Sequence, residues 1–168
     1  MNFFSCVELE MSQASKVLKE AGQLLVKTSL GGNAGVEVLD GAKSLVRGDS
    51  GKVFVFGSAT GFTLTLPAVA DAGNGWNAKF VVGTAPTSGN HVVTEATASD
   101  TNILHGGICE ADVSAAASAA ATAGTGATQV NFLASNANIG DFVEITAVNS
   151  LWVITSSMSQ ADASVTIT

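Results

Sequence analysis

The chain has no tyrosine, two prolines, two cysteines and two histidines in 168 residues, and charged residues make up only 12% of it. Cys6 and Cys109 lie far apart and share no CxxC spacing, so neither a thiolate metal site nor a redox pair is expected, and two reduced thiols are. His91 and His105 have Glu95, Asp100 and Glu110 nearby in sequence, yet strong ligands never recur at a metal-binding spacing. No metal or other cofactor is expected. The 7 basic residues face 14 acidic ones, a formal net charge of −7, which disfavours nucleic acid and anionic membranes as partners. No apolar run approaches membrane-spanning length, and Met1 to Glu10 lacks the basic flank and apolar core of a signal peptide. There is also no Asn-x-Ser/Thr sequon.

What is abundant is small or β-branched: Ala, Gly, Ser, Thr and Val dominate a chain that is 46% hydrophobic. Such residues suit closely stacked strands with short turns. The length allows one domain with a sizeable core and an appendage.

Helical spacing occurs once, in residues 12–27, where Ala14, Val17, Leu18, Ala21, Leu24 and Leu25 recur every three or four positions. Gly22 weakens this helix by about 1 kcal/mol relative to Ala, so it needs a partner surface. Gly31-Gly32-Asn33-Ala34-Gly35 reads as a hinge after it. Residues 1–42 are therefore expected to form an N-terminal arm, and residues 43–168 a folded domain.

In that domain, Lys52-Val53-Phe54-Val55-Phe56 reads as a strand, and Gly61-Phe62-Thr63-Leu64-Thr65-Leu66-Pro67 alternates cleanly between apolar and polar. Short pieces at Val36 to Leu39 and Ser44 to Val46 precede them. Further strands are expected at Ala78 to Val82, His91 to Thr94, Ile103 to Cys109, Gln129 to Leu133, Phe142 to Val148, Leu151 to Thr155 and Val165 to Thr168. Asn149-Ser150 fits a tight hairpin that would bring Trp152 close to Phe142 or Ile145 across the pair. The Ala-, Ser-, Thr- and Gly-rich stretch Asp112 to Thr128 is expected as a long loop. About ten short strands with turn residues between them argue for an all-β, jelly-roll-like β-sandwich with a short N-terminal helix or arm; a closed barrel is the rival.

Several motifs invite a chemical reading. Gly48-Asp49-Ser50-Gly51 echoes the serine region of chymotrypsin-like proteases, but both histidines follow the serine, and Lys52 stands where that family has a second glycine. A turn into the next strand accounts for it. Arg47-Gly48-Asp49 spells an integrin-recognition tripeptide and is read as the same turn. Gly124-x-Gly126 lacks the third glycine of a dinucleotide site. Asp71, Asp141 and Glu144 form no recognisable acid and base pair. No enzymatic activity is expected. Of the two tryptophans, Trp152 is expected in the core, and Trp76, after Gly73-Asn74-Gly75, is the better candidate for a partner contact, with core still the favoured place.

The order Asp49-Ser50-Gly51-Lys52, Gly61 to Pro67, Gly75-Trp76, Lys79-Phe80-Val81-Val82 and Pro86-Thr87 resembles bacteriophage head decoration (cement) proteins and modules of phage fibres. Gly140-Asp141-Phe142-Val143-Glu144-Ile145 and Trp152-Val153-Ile154 resemble the later strands of the same modules. The resemblance covers about residues 43–168. It implies a homotrimer on the outer surface of a capsid, partnered by the major capsid protein and cementing neighbouring capsomers. The alternative is a tail fibre or spike head that binds host surface glycans. Val17, Leu18, Leu24, Leu25 and Trp76 are the candidate capsid or subunit contacts.

Overall fold

The computed structural model describes residues 35–96, 100, 102–111, 121–161 and 163–168, the backbone alone for 121–125. Twelve strands follow in order: β1 (Val36–Leu39), β2 (Lys43–Ser44), β3 (Lys52–Phe56), β4 (Thr63–Thr65), β5 (Asn77–Val82), β6 (His91–Thr94), β7 (Leu104–Cys109), β8 (Ala121–Ala127), β9 (Gln129–Phe132), β10 (Phe142–Val148), β11 (Leu151–Met158) and β12 (Val165–Ile167). A 3-10 turn at Arg47–Asp49 and a single helical turn, α1 (Val69–Ala72), interrupt them.

The strands form two mixed sheets. The larger has the order β1-β3-β5-β10-β11-β7-β8, and the smaller β12-β9-β6-β4-β2. The expected all-β sandwich is present, and its first half is wound distinctively. From β1 to β6 the chain crosses from one sheet to the other at every connection, so β1, β3 and β5 run parallel in one sheet and β2, β4 and β6 run parallel in the other. An antiparallel Greek-key jelly roll does not do this. The second half is more conventional, with β10 antiparallel to both β5 and β11, and β9 antiparallel to both β6 and β12.

Period-two alternation sends Phe54 and Phe56 of β3, Phe80 and Val82 of β5, and Val143 and Ile145 of β10 into one core with Leu64, Val93, Val130 and Phe132 of the smaller sheet. Phe56 is its aromatic centre, with ring centroids 5.3 Å from Phe62, 5.4 Å from Phe132 and 4.4 Å from His91. Such ring pairs add about 0.5–1.5 kcal/mol each beyond the area they bury.

Buried carboxylates tie down the connections. Glu95 accepts hydrogen bonds from the backbone N–H of Asn102 (2.7 Å) and Ile103 (3.3 Å). Asp100 accepts from Val69 N–H (2.9 Å) and from the indole of Trp152 (3.3 Å). Asp141 accepts from the backbone of Asn138 and Gln160 and from the Ser164 hydroxyl, each at 2.9 Å. A buried carboxylate is tolerated when donors surround it in this way.

Two expectations need correction. The compact unit starts at Val36, not at residue 43, because β1 pairs along its whole length with β3. Ala121–Ala127, expected as loop, is a strand paired antiparallel to β7. The glycines of β7 take part in this: Gly106 has φ +134°, and a Cβ there would lie 2.7 Å from Cβ of Ile154. The expected hairpin forms: Asn149 and Ser150 are both left-handed and place Val148 against Leu151, so Trp152 lies opposite Ala147, two residues along β10 from Ile145 and away from Phe142. The remainder of the expected loop, 112–120, lies outside the described residues.

Candidate functional site

Strand register determines which outward side chains become neighbours. Across the larger sheet Val38 pairs with Val55, Val55 with Val81, Val81 with Phe142, and Phe142 with Met158. Partners in register point to the same side, so these five form one apolar row on the outer face, and Val38 at the edge is 63% exposed. The row lies close to the sheet at its valine end because Gly57 and Gly83 leave room. A Cβ on Gly57 would meet Cγ1 of Val38, and one on Gly83 would meet Cγ1 of Val55.

The next row contains Val36, Val53, Lys79, Glu144 and Ser156. Lys79 and Glu144 are cross-strand partners, yet the Lys79 ammonium sits 3.8 Å from the Phe142 ring centroid. Among the described residues neither side chain takes part in a salt bridge. The smaller sheet turns a different surface outward: Thr63, Thr65, Thr94, Gln129 and Thr166, with Val92, while Asn131 at the same parity is buried. The outer face of the larger sheet thus carries an apolar row flanked by polar residues, and that of the smaller sheet is mostly polar. An extended apolar face on a folded protein marks a contact surface.

The open end of the sandwich, between edge strands β1 and β2, is closed by charge. Lys43 contacts Glu37 at 2.5 Å, and Lys52 contacts Asp49 at 2.6 Å and Glu37 at 3.2 Å. Both ammonium groups lie over the Phe54 ring, 5.2 and 6.0 Å from its centroid. The hydrogen bond from Lys43 holds the Glu37 carboxyl below the ordinary value. Burial opposes ionisation of Asp49, but Lys52 and the Val46 N–H outweigh it and lower its pKa. Lys52 is raised in turn by its bond to Asp49. The shifts of Glu37, Asp49 and Lys52 favour their charged forms, and the cluster covers the core where, among the described residues, no further strand does.

This cluster answers the tripeptide question. Asp49 of Arg47-Gly48-Asp49 is 5% exposed and held by Lys52 and Val46, so the triplet is not displayed as a unit. Arg47 is exposed and lines an open cleft of about 260 Å³ with Ser50, Ala72, Asn74, Gly75 and Trp76. Ser50 accepts the Asn77 N–H at 3.2 Å. His91 is fully buried, stacked on Phe56, with Nε2 bonded to the Ser58 carbonyl at 3.0 Å. Burial pushes its pKa below the ordinary histidine value, against the opposing pull of the Ser58 and Thr84 backbone. Among the described residues, no three His, Cys, Asp or Glu side chains come together as a metal site would require.

Trp76 corrects a candidate contact. It is 3% exposed, meets Trp152 edge-on at 5.2 Å and donates its indole N–H to the Val46 carbonyl at 3.2 Å. A ring so enclosed offers no face to a partner. Val17, Leu18, Leu24 and Leu25 lie outside the described residues. The sequence reading missed the outer row, although β3 and β5 carried its signal: Val53-Phe54-Val55-Phe56 and Phe80-Val81-Val82 are apolar at both parities, the pattern of strands covered on both faces. No protein-family model, curated protein or solved structure matches the chain.

Proposed function

We propose that the chain is a non-enzymatic structural protein of a phage virion that adheres to the outer surface of the capsid and cements neighbouring capsomers. The observation that carries this reading is the apolar row Val38, Val55, Val81, Phe142 and Met158 on one face of a two-sheet sandwich whose other face is mostly polar. Adhesion needs such a surface on a stiff body, and it asks no chemistry of the chain. The resemblance implies three copies acting together, and linked copies turn modest contacts into tight attachment through avidity. The polar Thr and Gln face suits exposure to solvent. The acidic balance suits a protein that stays outside the shell, away from the packaged nucleic acid. The glycan-binding fibre head is the weaker reading because Trp76, its proposed stacking platform, is buried.

The test is cosedimentation of the full chain with emptied and filled capsids, together with the temperature at which filled capsids release their DNA. Saturable binding to capsids and a higher release temperature are expected. Binding to host cells or surface polysaccharide without binding to capsids would replace this reading with the fibre one.

A further inference from the structure

We propose that the outer face of the seven-stranded sheet is a self-association surface on which two copies of the chain pack face to face about a two-fold axis. The charge pattern supplies the argument. Lys79 on β5 and Glu144 on β10 are side by side, both without a salt bridge among the described residues, in an otherwise uncharged field of Val53, Val55, Val81 and Phe142. A partner of unrelated sequence would have to supply its own matching pair of charges. A second copy already has it.

A two-fold axis running along the strands between β5 and β10 exchanges the two strands. It sets Lys79 against the partner's Glu144 and Glu144 against the partner's Lys79, so both unpaired charges are satisfied at once. The same operation places Val81 on the partner's Phe142 and Val55 on the partner's Met158, small residues against large ones. The valine end is shallow because its side chains lie over Gly57 and Gly83, which makes room for the bulkier end of the other copy. Two-fold contacts require self-complementarity of this kind. Sheets packed face to face lie about 10 Å apart and rotate by about 30°, so the pairs beside the axis are kept while the outermost residues splay. Phe142 already holds the Lys79 ammonium by a cation–π contact, so little ordering of the lysine remains.

Five strands spaced at about 4.8 Å make the patch about 20 Å wide, and two rows of alternate residues at about 3.4 Å per residue span about 14 Å along the strands, so the patch covers roughly 280 Å², less than the roughly 800 Å² that each partner gives to a standard interface. The dimer is therefore reversible and concentration-dependent. The dimer buries the same row on which the capsid reading rests, so it is the state of the chain free in solution and must open before that face can meet a capsid.

Sedimentation velocity of the full chain over a dilution series tests it. The expected mass rises from 16.8 kDa towards twice that value as concentration increases. K79E and E144K are each expected to weaken association at least tenfold, since each sets like charges together twice. The charge-swapped K79E/E144K double variant is expected to recover to within about threefold of the wild type. Melting temperatures check that each variant is folded; if one single variant is not, the other single and the double variant carry the test. A wild type that stays at 16.8 kDa up to millimolar concentration overturns the proposal. So does an oligomer, a trimer included, that is indifferent to K79E and E144K or is not rescued by the swap.

Discussion

Asp141→Ala removes the acceptor at which three separate segments meet. The carboxylate is fully buried, and it takes the N–H of Asn138 before β10, the N–H of Gln160 after β11 and the hydroxyl of Ser164 before β12. Truncation leaves three donors without a partner in a site sealed from solvent. Each buried donor left unsatisfied costs about 1–3 kcal/mol. Partial rewetting brings the total to roughly 4 kcal/mol, towards the low end of that sum. Unfolding entropy of about 2.1 cal/mol/K per residue over about 130 residues amounts to roughly 0.27 kcal/mol/K, so the melting temperature should fall by about 15 °C. Ser164→Ala removes one donor and leaves two satisfied, and should cost only about 1 kcal/mol, or roughly 4 °C. Calorimetry of both variants beside the wild type measures the contrast. A fall of less than about 3 °C for Asp141→Ala, or equal falls for the two variants, would refute the view that this carboxylate organises the three segments.

Four further expectations follow from the geometry. His91 has a depressed pKa when folded, so the unfolded chain binds more protons below about pH 6.5, and stability should fall as pH drops from there; H91F should flatten that slope in urea melts run at several pH values. Glu37 and Asp49 are also depressed, but their contribution should persist until pH falls below about 4 and be lost below that, giving a second, more acid step that K52M shrinks. Gly106→Ala brings a Cβ into Ile154 across the β7–β11 pairing at a left-handed position, so a loss of more than about 3 kcal/mol is expected in chemical denaturation. Deleting residues 1–30 is expected to weaken capsid binding in cosedimentation, and binding equal to that of the full chain would set the N-terminal arm aside as an attachment element.

Strands whose inward and outward residues differ in chemistry were legible in the sequence. His91–Thr94 and Phe142–Val148 stand where alternation placed them. Ala121–Ala127 was not, because Ala, Thr and Gly give no contrast between faces, and pairing with the glycines of β7 decides the matter. The interleaved winding of the first six strands was illegible too. A connection such as Gly57 to Phe62 says that a turn occurs, and not whether the chain returns to the same sheet or crosses to the other. Burial of Asp100 and Asp141 was equally hidden, since donors such as Val69 N–H and the Trp152 indole for the one, and Gln160 N–H and the Ser164 hydroxyl for the other, come from distant segments. The apolar outer row was encoded in β3 and β5 but becomes a surface only once register aligns five strands.

The interleaved winding also governs how the sandwich meets force. Because β1 to β6 alternate between the two sheets, neither sheet can be peeled away whole from the N-terminal side. Tension applied there must take off one strand of the larger sheet, then one of the smaller, in repeated small steps. Among the described residues the first step meets the parallel β1–β3 ladder, the packing of Leu39 on the core and the ion pairs of Glu37 with Lys43 and Lys52. The later, largely antiparallel half is clasped by Asp141. A body wound in this way gives ground gradually from one end and holds at the other.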